Sequence, residues 1–263
     1  EKKRAWNIQY FAQIFFGMHW YRATRSLYKD WAPFRTRVVW TAMITMHEHL
    51  LRLGEVVQPA VDTQTGKRRW TRASVSFWMG EKQIPLLPSG APDPRLRQFL
   101  THAQLDPCPD KTDAAGRRDP YILPVPTLQT KGGTTLQQHA WMFCAGGLLW
   151  DLAARNPVPR NKQRFVPLFS AEFRLPPARQ TFLRQADFFA TLRTLCRRAV
   201  PTIPEVLEGK TLGGHCFRVS GVNAAAKTGA NLHEITNKGR WSFSAFASAG
   251  GYDYMRSNYK HIS

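Results

Sequence analysis

The chain has 263 residues, 43% of them hydrophobic and 12% aromatic, which is ample material for a core and excludes wholesale disorder. Its 37 lysines and arginines face 18 acidic residues, a net charge of +19, and that much like charge repels itself unless it meets a polyanion. No run approaches the roughly 18 apolar residues of a membrane span, so nucleic acid is the expected partner and an anionic membrane surface a weak second.

The opening Glu1-Lys2-Lys3-Arg4, with an aromatic segment broken by Gln9, Gln13 and His19, does not have the form of a secretory signal. Cys108, Cys144, Cys196 and Cys216 are too scattered for a zinc-ligand pattern, and reduced thiols are the default expectation. No metal and no cofactor are expected.

Taken in order, Trp6, Tyr10, Phe11, Ile14, Phe15, Met18 and Tyr21 recur at helical spacing, giving an amphipathic helix within residues 1–30. A second helix is predicted from about Thr36 to Leu53, with Val38, Trp40, Ala42, Met43, Met46 and Leu50 on its buried side. Gly54 is placed to end it in the left-handed conformation. Arg52 then lies near the negative end of the helix dipole, and Glu55 is placed to orient its guanidinium.

Trp70 to Phe77 reads as a strand after a turn at Gln64–Lys67, and the Pro-, Gly- and Asp-rich residues 88–120 read as loops. Within those loops lies Lys111, and Tyr121–Val125 is strand-like. Helices are predicted again over about Leu136–Arg155 and Arg179–Val200. The second carries a stripe of Phe182, Phe188, Phe189, Leu192 and Leu195. Between them runs a proline-rich connection with the basic cluster Arg160-Asn161-Lys162-Gln163-Arg164.

Near the C-terminus His215 and Arg218 share a face if helical, with Phe217, Val222, Ala225 and Ala226 on the buried side and Gly229 as the stop. Asn231-Leu232-His233-Glu234 has the form of a capping box opening a short helix that ends at Gly239. Trp241 follows in a turn, Ser242 or Ser244 caps the next helix, and a last helix carries Tyr254, Met255, Arg256 and Tyr259. An imidazole, guanidinium groups, an indole and phenols suit phosphoryl transfer through a tyrosyl ester. Two arginines can clamp the phosphate oxygens, a base can activate the phenol, and an acid must protonate the leaving sugar oxygen.

Leu51-Arg52-Leu53-Gly54-Glu55, Lys111-Thr112-Asp113, His215-Cys216-Phe217-Arg218, Gly239-Arg240-Trp241 and Tyr254-Met255-Arg256 stand in the order found in the tyrosine recombinases, the phage-integrase family. The chain resembles that family over about residues 35–260, and its wording is similar to the eukaryotic mobile-element branch. The resemblance implies a mainly α fold with a small antiparallel β-sheet (α+β). It implies an N-terminal helical arm at residues 1–34, the end of an upstream DNA-binding domain, and a catalytic domain at 35–263. By the same resemblance Arg52 and Arg218 clamp the phosphate, Lys111 protonates the leaving 5′ oxygen, and His215 is the general acid/base. Trp241 fills the His/Trp position, Glu55 supports Arg52, and Tyr254 forms a 3′-phosphotyrosyl linkage. The implied activity is metal-free, site-specific breaking and rejoining of double-stranded DNA. Self-assembly into a dimer or tetramer on DNA, and a nuclear location, are expected with it.

The chain departs from the family at the nucleophile. The usual tyrosine slot holds Ala249 or Gly250, and Tyr252 and Tyr254 lie beyond it. Tyr-Met-Arg favours Tyr254, with Tyr252 the alternative nucleophile. A catalytically decayed recombinase that only binds DNA is the competing reading. Type IB topoisomerases, which share the chemistry, and a basic RNA-binding or structural protein stand further off.

Overall fold

Helix α1 (Phe34–Glu48) is the most enclosed element among the described residues, with every residue from Arg37 to Met46 buried. The computed structural model describes residues 34–58, 70–107, 119–126, 143–170, 176, 179–199 and 216–248. After α1 come α2 (Leu53–Val56), β1 (Val75–Met79), β2 (Lys82–Gln83), β3 (His102–Leu105) and β4 (Tyr121–Pro124). The helices α3 (Ala145–Arg155), α4 (Gln185–Ala199), α5 (Cys216–Lys227), α6 (Leu232–Lys238) and α7 (Phe243–Ser248) follow. The described residues are therefore mostly helical with one small antiparallel sheet, which is the coarse fold class the sequence implies.

The described residues fall into two compact units, one containing Thr45–Gly54 and the chain from Phe189 onward, the other Pro33–Ile44 and Glu55–Phe188. The described residues of 35–263, the stretch expected as the catalytic domain, fall in both units. Except for Phe34, the expected N-terminal arm lies outside the described residues, as do the turn at 64–67 and the last helix around Tyr254–Tyr259.

In the second unit the sheet runs β2-β1-β3-β4, antiparallel throughout, with Trp78 opposite Gln83 and His102, and Leu105 opposite Tyr121. Gly80 turns β1 into β2 with a φ of 59°, a conformation glycine adopts without a Cβ clash. The strand expected from Trp70 starts later, at Val75. Arg72–Ser74 form a 3₁₀ turn in which the Ser74 hydroxyl accepts from the Thr71 amide at 3.2 Å, a local bond that competes with strand pairing. Strand β3 arises inside the stretch expected as loops. Its alternation of buried Ala103 and Leu105 with half-buried His102 and Gln104 is a strand signal only four residues long.

Helix α3 covers β3 and β4 so closely that a Cβ on Gly146 would come 2.5 Å from the Leu123 carbonyl oxygen, and Phe77 meets Trp150 edge-on at 5.1 Å. The buried Arg37 of α1 lies 3.9 Å from Asp151, which also holds Arg155 at 2.6 Å. Thr41 donates its hydroxyl proton to the Arg37 carbonyl at 2.8 Å, so α1 satisfies its polar side chain within the helix and tolerates burial on all sides. Helix α1, expected from the sequence to have one buried side, is thus buried on every side from Arg37 to Met46.

Of the two helix ends expected at glycines, one differs and one holds. Helix α1 stops at Glu48, and Gly54 lies inside α2. The left-handed residue is Leu50, with φ 53°, and the Leu51 amide donates to the Met46 carbonyl at 3.0 Å, the closure of a Schellman motif with leucine in glycine's usual place. Helix α5 does stop at Gly229, which has φ 89° and is followed by the Ala230 amide donating to the Ala225 carbonyl at 3.0 Å. Asn231 and Glu234 form the expected capping box, with reciprocal bonds of 2.9 and 2.7 Å.

Leucine in the left-handed region is strained by about 1–2 kcal/mol, whereas truncating a buried leucine costs about 2–5 kcal/mol. Because Leu50 is only 2% exposed, Leu50→Gly should lower unfolding stability despite relieving the backbone. A denaturant titration showing a gain would contradict this balance.

Candidate active site

The first unit is built around an apolar cluster of Leu50, Val222, Ile235 and Phe246, against which Ala225, Ala226, Leu232 and Trp241 pack. Helix α5 reaches this cluster by crossing the end of α1 at Gly221. A Cβ there would stand 2.1 Å from the His47 carbonyl oxygen and 2.5 Å from a Leu50 methyl. No larger residue permits that approach. The crossing buries the run from Cys216 to Val222 on all sides, including Arg218, which is 4% exposed. The two-faced α5 expected from the sequence is therefore enclosed in its first half, and its arginine lies inside.

Three contacts hold Arg218. Its Nη2 donates to the Gly239 carbonyl at 2.8 Å, its Cζ lies 3.9 Å from the centroid of the Trp241 ring, and its helix is fixed by the Gly221 crossing. A desolvated guanidinium over an indole gains about 2 kcal/mol, which offsets part of the cost of burying the charge. Trp241 is in turn braced by Phe246, ring to ring at 5.1 Å.

Each residue of Gly239-Arg240-Trp241 has a separate task. Gly239 has an ordinary φ of −80°, so its backbone does not require glycine. Space does, because a Cβ would stand 2.3 Å from two carbons of the Trp241 ring. Arg240 takes the left-handed position at φ 53°, and the Trp241 amide donates to the Thr236 carbonyl at 2.9 Å. The indole is thereby folded back over Gly239 and onto the guanidinium. Ser242 immediately precedes α7, its carbonyl accepting from the Phe246 amide at 2.9 Å.

Arg52 is exposed in the short link between α1 and α2. It lies beyond the Schellman closure, so the dipole at the end of α1 does not account for it, and it immediately precedes the positive end of α2. Arg52, Arg218 and Trp241 belong to one compact unit, and Leu50, just upstream of Arg52, shares the apolar cluster with Trp241. Glu55 is half-buried at the start of α2 and falls in the other unit. Lys111, His215, Tyr252 and Tyr254 lie outside the described residues. So does the shared face of His215 and Arg218. Lys111 belongs to the stretch of sequence joining β3 to β4.

Sequence reasoning passed over His47 and His49 at the end of α1. Burial first, then the positive charge of Lys238, lowers the His47 pKa to about 4, although a backbone hydrogen bond at Phe217 works the other way. Burial, Lys238 and Arg240 lower that of His49 to about 3. Both imidazoles are therefore neutral at pH 7, and the 3.9 Å approach of His49 to Glu48 is not an ion pair there. Their position inside an otherwise apolar helical pattern is the signal that marks them. Cys144, Cys196 and Cys216 are buried thiols outside any disulfide, burial pushing the Cys196 thiol up to about 12; Cys108 lies outside the described residues.

No protein family, curated protein or solved structure matches this chain. Among the described residues no helix is long and apolar enough to cross a membrane.

Gly239→Ala should displace the indole and loosen Arg218, lowering stability by about 1–3 kcal/mol as overpacking does. Arg240→Gly should be neutral or slightly stabilising, since it removes left-handed strain. Equal losses in thermal unfolding would contradict these assignments. The histidines predict a pH response. Below about pH 6.5 the unfolded chain takes up protons that buried His47 and His49 refuse until about pH 4 and 3. Stability should therefore fall as pH drops from 6.5 to 4, and His49→Gln should flatten that slope in denaturant titrations.

Proposed function

We infer that this protein is a tyrosine-type DNA strand transferase of the recombinase kind, with the corresponding catalytic-domain fold. The observation that carries the reading is the lodging of Arg218 between the Trp241 ring and the Gly239 carbonyl, in the unit that also presents Arg52. A guanidinium whose plane is fixed by stacking is pre-oriented for bidentate contact with a phosphate. Two such groups on one phosphodiester neutralise its non-bridging oxygens as charge builds in the transition state.

In the proposed reaction the Tyr254 phenolate oxygen, or that of Tyr252, attacks phosphorus with His215 taking its proton. The bond to the 5′ oxygen breaks, Lys111 supplies that oxygen's proton, and the 3′ end remains as a phosphotyrosyl ester. Attack by a 5′ hydroxyl reverses each transfer and reseals the strand. The net charge of +19 supports double-stranded DNA as substrate, and assembly of two or four copies on DNA and action in the nucleus belong to the same reading. The motif order summarised under Sequence analysis is its other support.

A second reading has one observation in its favour. Arg218 is 4% exposed with Nη2 engaged by a carbonyl, as expected of an arginine kept for packing in a decayed recombinase that only binds DNA.

A nicked suicide duplex, from which the cleaved fragment diffuses away, separates the two. The strand-transferase reading predicts a covalent protein–DNA adduct that Tyr254→Phe abolishes and Tyr252→Phe leaves. Loss only in Tyr252→Phe reassigns the nucleophile, and DNA binding without any adduct favours the decayed protein. Binding itself should weaken steeply and log-linearly with salt, as counterion release from many phosphates requires. A flat response would argue against a DNA-tracking surface.

A further inference from the structure

The second unit contains a buried arginine that the reading above does not use. Arg72 is 7% exposed, and its backbone is fixed where its amide donates to the Val166 carbonyl at 2.9 Å. Its side chain lines a cavity of about 20 Å³ walled by Phe77, Leu149, Leu168 and Asn156. The guanidinium Nε and Nη2 have no hydrogen-bond partner among the described residues, nor does Nδ2 of Asn156, which is 8% exposed. Gln163 also lines the cavity, but its Nε2 is committed to the Val158 carbonyl at 3.0 Å and the Gly90 carbonyl at 3.4 Å. Gly90, at φ 84°, admits no Cβ, which would overlap the Val158 carbonyl at 1.7 Å. That close approach packs the Gly90 backbone directly on the Val158 carbonyl beside the cavity.

The unsatisfied polar atoms around this space are all donors. A water molecule placed among three donors would leave its own protons facing an apolar wall, whereas an anion accepts from every side. Among the described residues no carboxylate pairs with Arg72, and burial lowers its pKa only to about 10, so the group is a cation at neutral pH. A lone buried cation is costly, and a counter-ion at hydrogen-bond distance offsets that cost. The space suits one small guest. We propose that the cavity between Arg72 and Asn156 is a structural binding site for a single halide ion, chloride in ordinary buffers, held by Arg72 Nε and Nη2 and Asn156 Nδ2.

The test is thermal unfolding of the full chain at constant ionic strength and pH, with sodium chloride or bromide replacing sodium gluconate in steps. The halides should raise the melting temperature by several degrees along a saturating, one-site curve. Arg72→Met should lose that rise. Asn156→Asp, which supplies a fixed carboxylate at the same wall, should lose it as well while being at least as stable in gluconate as the native chain. If Arg72→Met fails to fold, Asn156→Asp decides. Crystals soaked in bromide should show an anomalous peak in contact with Arg72 and Asn156. Equal melting in halide and gluconate, a halide increment that survives in Asn156→Asp, or a bromide-free cavity would each overturn the proposal.

Discussion

The burial of Leu50 against Val222, Ile235 and Phe246 is the constraint on which the first unit depends. It joins the end of α1 to three helices that follow far along the chain, and it does so from a left-handed backbone at φ 53°. Strain of that kind persists only where surrounding packing over-determines it. Here the packing is supplied by a fully buried side chain and by Gly221, which lets α5 lie directly on the His47 carbonyl. Turning the chain at Leu50 also decides where Arg52 emerges, on the surface and beyond the helix.

From that anchor the candidate site follows by successive contacts. Trp241 packs on the cluster, Arg218 lies on Trp241, and the Gly239 carbonyl receives Arg218. Removing a Cβ at residue 239 is what permits the indole to lie over the backbone, so the tripeptide works as a mount for the guanidinium. The energetic balance is close. Desolvation of the charge is opposed by stacking and a charge-assisted hydrogen bond, and neither neighbouring histidine adds positive charge, because burial keeps both neutral at pH 7.

What was legible in the sequence was local. The capping box at Asn231 and Glu234 and the stop at Gly229 each follow from residues within a turn or two of one another, and each stands as read. The stripe expected from Phe182 on a helix from Arg179 holds only from Phe188, because α4 begins at Gln185. The end of α1 also differs, because Gly54 offered the usual signal while tertiary packing selected Leu50. Strand β3 was hidden by its four-residue length between prolines and charges. Arg52, Arg218 and Trp241 were singled out by their order along the chain, but the burial of Arg218 was not visible there, since it depends on a helix crossing with α1. Gly221, His47 and His49 carried no motif, and their roles appear only once that crossing is seen.

The central claim is that Arg52 and Arg218 act together on one phosphodiester. A double-mutant cycle with Arg52→Ala, Arg218→Lys and the double variant, read as duplex affinity at fixed salt, tests it most directly. Lysine keeps the charge at 218 but loses the planar fork and its stack. If the two groups share a phosphate, the double variant should lose less than the sum of the single losses, with a coupling of about 1 kcal/mol or more. Additivity within about 0.5 kcal/mol would contradict the account.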